Sequence, residues 1–436
     1  MSRKFETDLE PLAVVAGMRT PFAKAFGPLA SVPADELGRV AVTAALQRAG
    51  LTADQVDEVI FGNVASPADT ANVSRVVALR ADIPQERVAH TVHRNCASGM
   101  EAIVSAWQSI REGRSEIIVA GGTESMSNVP LLWDSRMKSL LLDLSRQKSL
   151  FGKLRVMTRF RPSMLRPIPA LQLGLTDPTC GLNMGQTAEL LAKDFNISRE
   201  EQDRFALLSH QRAIATWDRC FYKGETAPVA LADGTMVEKD SGPRKGQTIE
   251  ALARLKPMFE PTTGSVTAGN SCPITDGACA LVLMPAHRAR ASGITPLGYI
   301  RDYSVAGCEP RRMGLGPVHA THKLITRHGM SLSDFDLIEI NEAFAAQVIA
   351  CQRAFASNEF ARNHFGQSKA IGEVPTQILN VNGGAIALGH PVGTTGARLV
   401  LTLLRALKEK KQQRGLATLC IGGGQGMAMW LESELE

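Results

Sequence analysis

The chain has 436 residues, with 48 Lys+Arg against 43 Asp+Glu, a formal net charge of +5, 44% hydrophobic and 21% charged residues. That length predicts two or three packed units, and the composition excludes a disordered or fibrous chain. The mild charge, with only 4 Trp and 3 Tyr, argues against a nucleic-acid binder. The first residues, MSRKFETDLEPLAVV, place acids before a short apolar run and do not read as a secretory leader. Eight cysteines (Cys96, Cys180, Cys220, Cys272, Cys279, Cys308, Cys351, Cys420) lack CxxC spacing, so a reduced cytoplasmic setting without a metal site is expected. No apolar run approaches the ~18 residues of a membrane span.

Apolar runs at Pro11–Ala16, Glu58–Phe61, Glu116–Gly121 and Leu416–Gly422 alternate with helical patterns at Ala34–Arg48, Ser98–Glu112, Arg199–Trp217 and Ala397–Lys411. This alternation predicts an α/β protein of βα units, with parallel strands buried on both faces. The pattern also repeats. GLTADQVDEVIFGN at Gly50–Asn63 is matched by GMSLSDFDLIEINE at Gly329–Glu342, and the turn–helix–strand–double-glycine run at Cys96–Gly122 by Gly384–Gly423. Both pairs lie about 280 to 300 residues apart, which predicts a duplicated unit.

Between the copies, at about 128–260, runs a stretch matching neither. Its first part, Leu131–Ala170, carries nine basic residues (Arg136, Lys138, Arg146, Lys148, Lys153, Arg155, Arg159, Arg161, Arg166) against Asp134 and Asp143. The positive balance of the chain is therefore local to this segment. Met137, Leu140, Leu141, Leu144, Phe151, Leu154 and Met157 recur near helical spacing. Four readings stand open: a cover helix on its own protein, peripheral membrane contact, an acidic partner subunit, or steering of a phosphate-rich ligand.

The residues that carry chemistry cluster around glycines. Cys96 precedes an apolar helix, where the N-terminal amides favour a thiolate. Gly389-His390-Pro391 holds one imidazole rigidly between a glycine and a proline, and Cys420-Ile421-Gly422-Gly423-Gly424 ends a strand in bare backbone suited to an oxyanion. Asn341-Glu342 ends the repeated strand of the second copy. No Walker A, G-x-S-x-G or GxGxxG fingerprint is present. Two cysteines and one histidine fit acyl transfer, one thiol holding the acyl group while the other moves a proton on carbon.

With Arg19-Thr20-Pro21-Phe22, Cys96-Ala97-Ser98-Gly99, Gly121-Gly122-Thr123-Glu124-Ser125-Met126-Ser127, Asn341-Glu342-Ala343-Phe344, Gly389-His390-Pro391 and Cys420-Ile421-Gly422-Gly423-Gly424, the chain resembles the thiolases over nearly its whole length. The resemblance implies two βαβαβαββ halves in a five-layer αβαβα sandwich, at 10–285 and 290–436, with a loop domain inserted in the first at about 128–260. It assigns Cys96 as the nucleophile, His390 as its activator, Cys420 as the acid/base on carbon, and Asn341 as holder of a water in one oxyanion hole. The amides of Cys96 and Gly422 form the other. Met184, Ala268, Gly269 and Cys272 fall in segments lining the acyl and coenzyme A pocket, Cys272 where many relatives carry serine. His319 and His322 receive no catalytic role.

Coenzyme A enters as substrate, and no cofactor is implied. The expected reaction is thiolytic cleavage of 3-ketoacyl-CoA in fatty-acid oxidation; the alternative is condensation of two acetyl-CoA, and a non-catalytic scaffold is the remaining one. A ketoacyl synthase would carry a second histidine where Cys420 stands. The basic insert resembles the β-subunit thiolases of fatty-acid oxidation complexes, which pair with a hydratase/dehydrogenase α chain, whereas those relatives usually place histidine at the position of Asn341. A homodimer or homotetramer is expected.

Overall fold

The computed structural model describes residues 10–435; the first nine residues, including most of the N-terminal segment considered above, and the last lie outside the described residues. The first half runs β1 (Leu12–Arg19), α1 (Ala34–Ala49), β2 (Glu58–Gly62), α2 (Val73–Arg80), β3 (Val88–Val92), α3 (Ser98–Arg111) and β4 (Ile118–Glu124). The chain then leaves the sheet over residues 125–274, which carry α4 (Ser135–Arg146), α5 (Leu150–Met157), α6 (Met184–Asp194) and α7 (Arg199–Asp218), and returns as β5 (Thr275–Pro285). The second half consists of β6 (Gly298–Gly307), α8 (Gly316–His328), β7 (Leu337–Ile340), α9 (Ala345–Phe355), α10 (Thr395–Lys410), β8 (Arg414–Ile421) and β9 (Gln425–Glu432).

The two halves repeat one pairing scheme. β1 lies antiparallel to β5, β5 antiparallel to β4, and β4 and β3 parallel to β2. Correspondingly, β6 lies antiparallel to β9, β9 antiparallel to β8, and β8 parallel to β7, with Leu379 bridging β7 in parallel as β3 does β2. The βα alternation predicts parallel strands, and each half is mixed instead, its last strand returning against its neighbours as the final ββ of a βαβαβαββ half does. In the second half that return is the three-glycine turn between Ile421 and Gln425, with Gly423 and Gly424 at φ +93 and +82.

Alternation along the strands builds the layers. Leu12 and Val14 join a central apolar cluster with α3 and α10, while Ala13 and Val15 join an outer one with α1 and α2. Leu419 and Ile421 enter the same central cluster, and Leu416 and Cys420 a third one with α8 and α9. Helices, sheet, two central helices, sheet, helices: this is the αβαβα sandwich, its two sheet layers continuous where Leu12–Val14 of β1 pairs antiparallel with Gly298–Ile300 of β6. The central helices touch through glycines. A side chain on Gly99 would begin 2.8 Å from the Ala397 nitrogen, and one on Gly396 2.5 Å from the Met100 nitrogen.

An ion cluster ties the insert to the sheet. Arg19, fully buried at the end of β1, donates to Glu225 Oε1 at 2.7 Å and to both Asp240 oxygens at 2.7 and 2.9 Å. Asp240 also accepts from Phe22 N and Trp217 Nε1. Replacing Arg19 by Met takes from buried Asp240 its ion-pair partner and leaves Glu225 with Arg405 alone, 3.6 Å away. The expected result is a loss of about 3–5 kcal/mol of stability, read from the denaturant midpoint; an unshifted midpoint would show that the cluster contributes nothing net.

Candidate active site

Cys96 occupies a tight turn between β3 and α3. Asn95 takes φ 45, Ser98 Oγ donates to Asn95 O at 2.7 Å, and Arg94 N donates to Ser98 Oγ at 2.8 Å. The turn is fastened to the other half by Asn95 Nδ2, which donates to Gly422 O at 2.7 Å. The backbone amides of Gly422 and of Cys96 itself act on the Cys96 sulfur in the direction that favours the thiolate. Even so, burial holds this thiol above its ordinary value, with the Glu124 carboxylate adding to the shift. The expectation of a thiolate stabilised at a helix N-terminus is corrected. Desolvation outweighs the amides, and the resting group is S–H.

His390 follows Gly389, whose φ of +109 and contact with Thr275 leave no room for a side chain. A parallel bridge to Ile274 and a bond from His390 N to Thr275 Oγ1 (3.1 Å) fix the loop against β5. The ring Nδ1 lies 2.6 Å from Thr395 Oγ1, and that hydroxyl donates to Pro391 O at 3.0 Å. A hydroxyl has one proton, so Thr395 accepts from Nδ1–H and Nε2 is left with a bare lone pair. Burial, with Arg398 adding repulsion, drives the imidazole pKa down to about 3, so it is neutral at physiological pH.

Asn341 ends β7, its N–H bonded to Thr418 O at 3.0 Å. Among the described residues, its side-chain Oδ1 and Nδ2, like His390 Nε2, are buried without a protein partner. Such atoms are rare inside proteins and mark a place for substrate or water. Cys420 lies on β8, its thiol raised well above the ordinary value by burial and by the neighbouring Cys96, Cys351 and Cys272 sulfurs. Cys272, bonded through its N–H to Ala343 O at 3.0 Å, is pushed up to about 12 by burial and by Cys96. Cys96, Cys272 and Cys420 thus lie close enough to act on one another, while the His390 and Asn341 segments are tied beside Cys272 through the Ile274 bridge and the bond to Ala343 O.

The remaining predicted positions divide. Met184 opens α6 with its sulfur 3.2 Å from where a Gly422 side chain would begin, inside the site. Ala268 is exposed, and Gly269 presses its would-be side-chain face on Leu252 and Leu255. His319 and His322 belong to an outer aromatic cluster with Phe360, His364 and Phe365, where His322 stacks on Phe365 at 3.9 Å. Among the described residues no group of three or more His, Cys, Asp or Glu is placed to hold a metal ion, and no helix is long and apolar enough to cross a membrane.

Sequence reasoning passed over the two carboxylates that hold these loops. Glu124 accepts from Val64 N, Ala65 N, Gly393 N and Asn63 Nδ2 at 2.8 to 3.1 Å, tying the His390 loop to the end of β2; burial raises it to about 7. Glu342 accepts from Ser209 Oγ (2.6 Å), Asn380 Nδ2 (2.9 Å) and Ile386 N (3.2 Å). Both stood inside quoted motifs, where a buried acid among glycines was the available signal. For the thiol, alkylation of Cys96 by iodoacetamide is expected to accelerate with pH beyond about 8.5, the ordinary thiol value. A rate that levels off below neutrality would instead show a stabilised thiolate.

Family models match most of the chain: the thiolase N-terminal domain over residues 12–287 and the thiolase C-terminal domain over 294–433. A 3-ketoacyl-CoA thiolase of Pseudoalteromonas translucida is 39% identical over 425 residues, 97% of each chain, and one of Yersinia pestis is 39% identical over 427 residues, again 97% of each. Among solved structures, the Bacillus anthracis acetyl-CoA acetyltransferase superposes with a TM-score of 0.85 at 36% identity, covering 97% of this chain and 99% of that one. Human mitochondrial 3-ketoacyl-CoA thiolase in complex with CoA superposes at 0.84 and 36% identity, covering 98% of both. The chain belongs to the thiolase family.

Proposed function

We propose that this protein cleaves 3-ketoacyl-CoA with coenzyme A, giving acetyl-CoA and a shortened acyl-CoA through an acyl-Cys96 thioester. The observation that carries the reading is a neutral imidazole whose Nε2 is bare and without a protein partner, together with a half-buried Cys96 thiol on which the backbone amides of Gly422 and Cys96 act in the direction that favours the thiolate. His390 Nε2 takes the Cys96 proton as the sulfur attacks the 3-keto carbon. The amides of Cys96 and Gly422 stabilise the tetrahedral oxyanion. Collapse restores the carbonyl as an acyl thioester and breaks the bond between C2 and C3, releasing acetyl-CoA as its enolate. That enolate oxygen accepts from protonated His390 and from a water held by Asn341, while Cys420 supplies the proton to carbon. In the second half-reaction the Cys420 thiolate takes the proton of coenzyme A, whose sulfur then displaces the acyl group from Cys96, and the departing Cys96 sulfur recovers the proton held by His390. A thiol kept protonated by burial is suited to donate to a carbanion.

The chain divides, on this reading, into an N-terminal half at 10–285 carrying a loop domain at about 128–260 and a C-terminal half at 290–436, a division the repeated pairing scheme supports. Acyl-CoA and coenzyme A are the small-molecule partners. β3 ends the sheet with Val88 at 59% exposure, an open edge that suits association with a second copy. A cytoplasmic setting accords with the eight unpaired cysteines.

The relatives named 3-ketoacyl-CoA thiolases favour degradation, whereas the equally close superposition on an acetyl-CoA acetyltransferase keeps condensation of acetyl-CoA as the second reading. Thiolysis of acetoacetyl-CoA beside 3-ketohexadecanoyl-CoA separates them. Preference for the long substrate is expected, and preference for acetoacetyl-CoA would reverse the assignment. Cys420→Ala should still form the acyl-Cys96 adduct from acyl-CoA but lose overall turnover by roughly 10²–10⁴-fold; equal loss of both half-reactions would refute the division of labour. Asn341→Ala should lower kcat about 10²–10³-fold with acylation from acyl-CoA largely retained.

A further inference from the structure

The turn that carries the Gly422 amide consists of three glycines, Gly422, Gly423 and Gly424. Ile421 and Gln425 close it as the last antiparallel pair of β8 and β9. A glycine leaves both backbone rotations open, so three in succession set no direction for an amide by themselves. The turn is held through its carbonyls instead. Cys308 N donates to Gly424 O at 2.8 Å, and Asn95 Nδ2 donates to Gly422 O at 2.7 Å. Among the described residues, Asn95 is the one side chain that hydrogen-bonds the backbone of these glycines.

Asn95 reaches across because its own backbone is turned. Its φ of 45 lies in the left-handed region, where asparagine is tolerated and a branched or bulky residue is not. Two bonds lock that conformation, since Ser98 Oγ and Ser98 N donate to Asn95 O at 2.7 and 3.0 Å. The residue is thus anchored on the start of α3, immediately before Cys96, and grips the residue whose amide acts on the Cys96 sulfur. A side chain on Gly422 would begin 3.2 Å from Met184 Sδ and 3.9 Å from Asn95 Nδ2, so these two residues bound the space about that glycine. A second tie crosses the same gap. Arg94 Nη1 donates to Gln425 Oε1 at 3.3 Å, while its Nε and Nη2 pair with Glu101. That tie holds the exit of the turn and not its glycines.

We propose that Asn95 is a positioning residue: by holding the Gly422 carbonyl it aims the Gly422 N–H at the Cys96 sulfur and at the oxyanion that forms beside it. The oxyanion part rests on the acyl-Cys96 mechanism above; the effect on the thiol does not. The bond to Asn95 fixes Gly422 on one side and the strand pairing of Ile421 fixes it on the other, so the N–H between them keeps one direction. Once released, it samples several. Each excursion removes a donor that favours the Cys96 thiolate and would stabilise the oxyanion.

Alkylation of Cys96 by iodoacetamide against pH, read on the Cys96 peptide by mass spectrometry, tests the proposal beside thiolysis of acetoacetyl-CoA. The full-length protein is compared with Asn95→Gly, Asn95→Asp and Gln425→Ala. Glycine keeps the left-handed turn and adds no charge; aspartate keeps the size and the turn but has no N–H to donate. The other groups that act on Cys96, namely Glu124, Cys272 and Cys420, stay in place. N95G is expected to move the alkylation profile to higher pH, slowing the reaction at pH 8 by about 3- to 10-fold. It should lower kcat by about tenfold or more, with KM changed by less than about twofold. N95D should do at least as much, and Q425A should leave the profile where it is. Either Asn95 variant suffices, so misfolding of one does not stop the test. An unmoved profile, a raised KM at unchanged kcat, or an equal shift in Q425A overturns the proposal. A wild-type protein that cleaves no 3-ketoacyl-CoA would refute the thiolytic reading, and the alkylation profile would still decide the role of Asn95.

Discussion

Everything at the catalytic centre depends on how closely the backbones of the two halves approach. Gly99 and Gly396 let α3 and α10 cross with their N-termini side by side, and Gly62 and Gly122 accept the Gly393 carbonyl where a side chain would begin 2.7 and 2.0 Å from it. At such separations a single methyl group forces one half away from the other. Because Cys96 precedes α3 and His390 precedes α10, this contact is what converts two copies of a βα unit into one site. The copies are no longer equivalent. On the proposed mechanism one contributes the nucleophile, and the other the base, the proton donor and the water-holding amide.

Buried carboxylates then fix what the glycines bring near. Glu124 reaches from the first half to the amide of Gly393 in the second, and Glu342 gathers Asn380, Ser209 and Ile386 around the segment leading to His390. Neither acid has a counter-ion among the groups it hydrogen-bonds; both are satisfied by N–H and O–H donors. The resulting rigidity suits a reaction in which the barrier is lowered by placing donors in advance. The same surroundings hold the Cys96 and Cys420 thiols above and the His390 imidazole below their ordinary values, so on the proposed mechanism the three side chains rest uncharged and charge develops only with substrate in place.

Much of this was legible in the sequence because the reacting residues sit in glycine-rich strings that leave little else for a cysteine or histidine to do. Helix ends were readable to within a residue or two: Ala34–Arg48 was expected where α1 ends at Ala49, and Arg199–Trp217 where α7 ends at Asp218. Three things were not readable. A strand buried on both faces looks the same whichever way its neighbour runs, so the antiparallel returns of β5 and β9 were hidden. A cysteine before a helix looks activated until its burial is known. Helical spacing in the basic segment reads as one face, and only the fold-back of α5 on α4 shows that there are two. Thr395 escaped notice for a related reason, since its effect on the His390 tautomer depends on a hydroxyl shared with Pro391 O.

The two-residue ribbon of Leu131–Leu132 with Ile168–Pro169, which joins the folded-back pair α4 and α5 to the body, has a consequence for how such a protein changes over time. Its four residues are the covalent and hydrogen-bonded boundary between a unit with its own small core and a sandwich that shares none of it. Substitutions on either side of that boundary are therefore nearly independent in their effects on folding. A change of sequence in one unit leaves the packing of the other largely as it was.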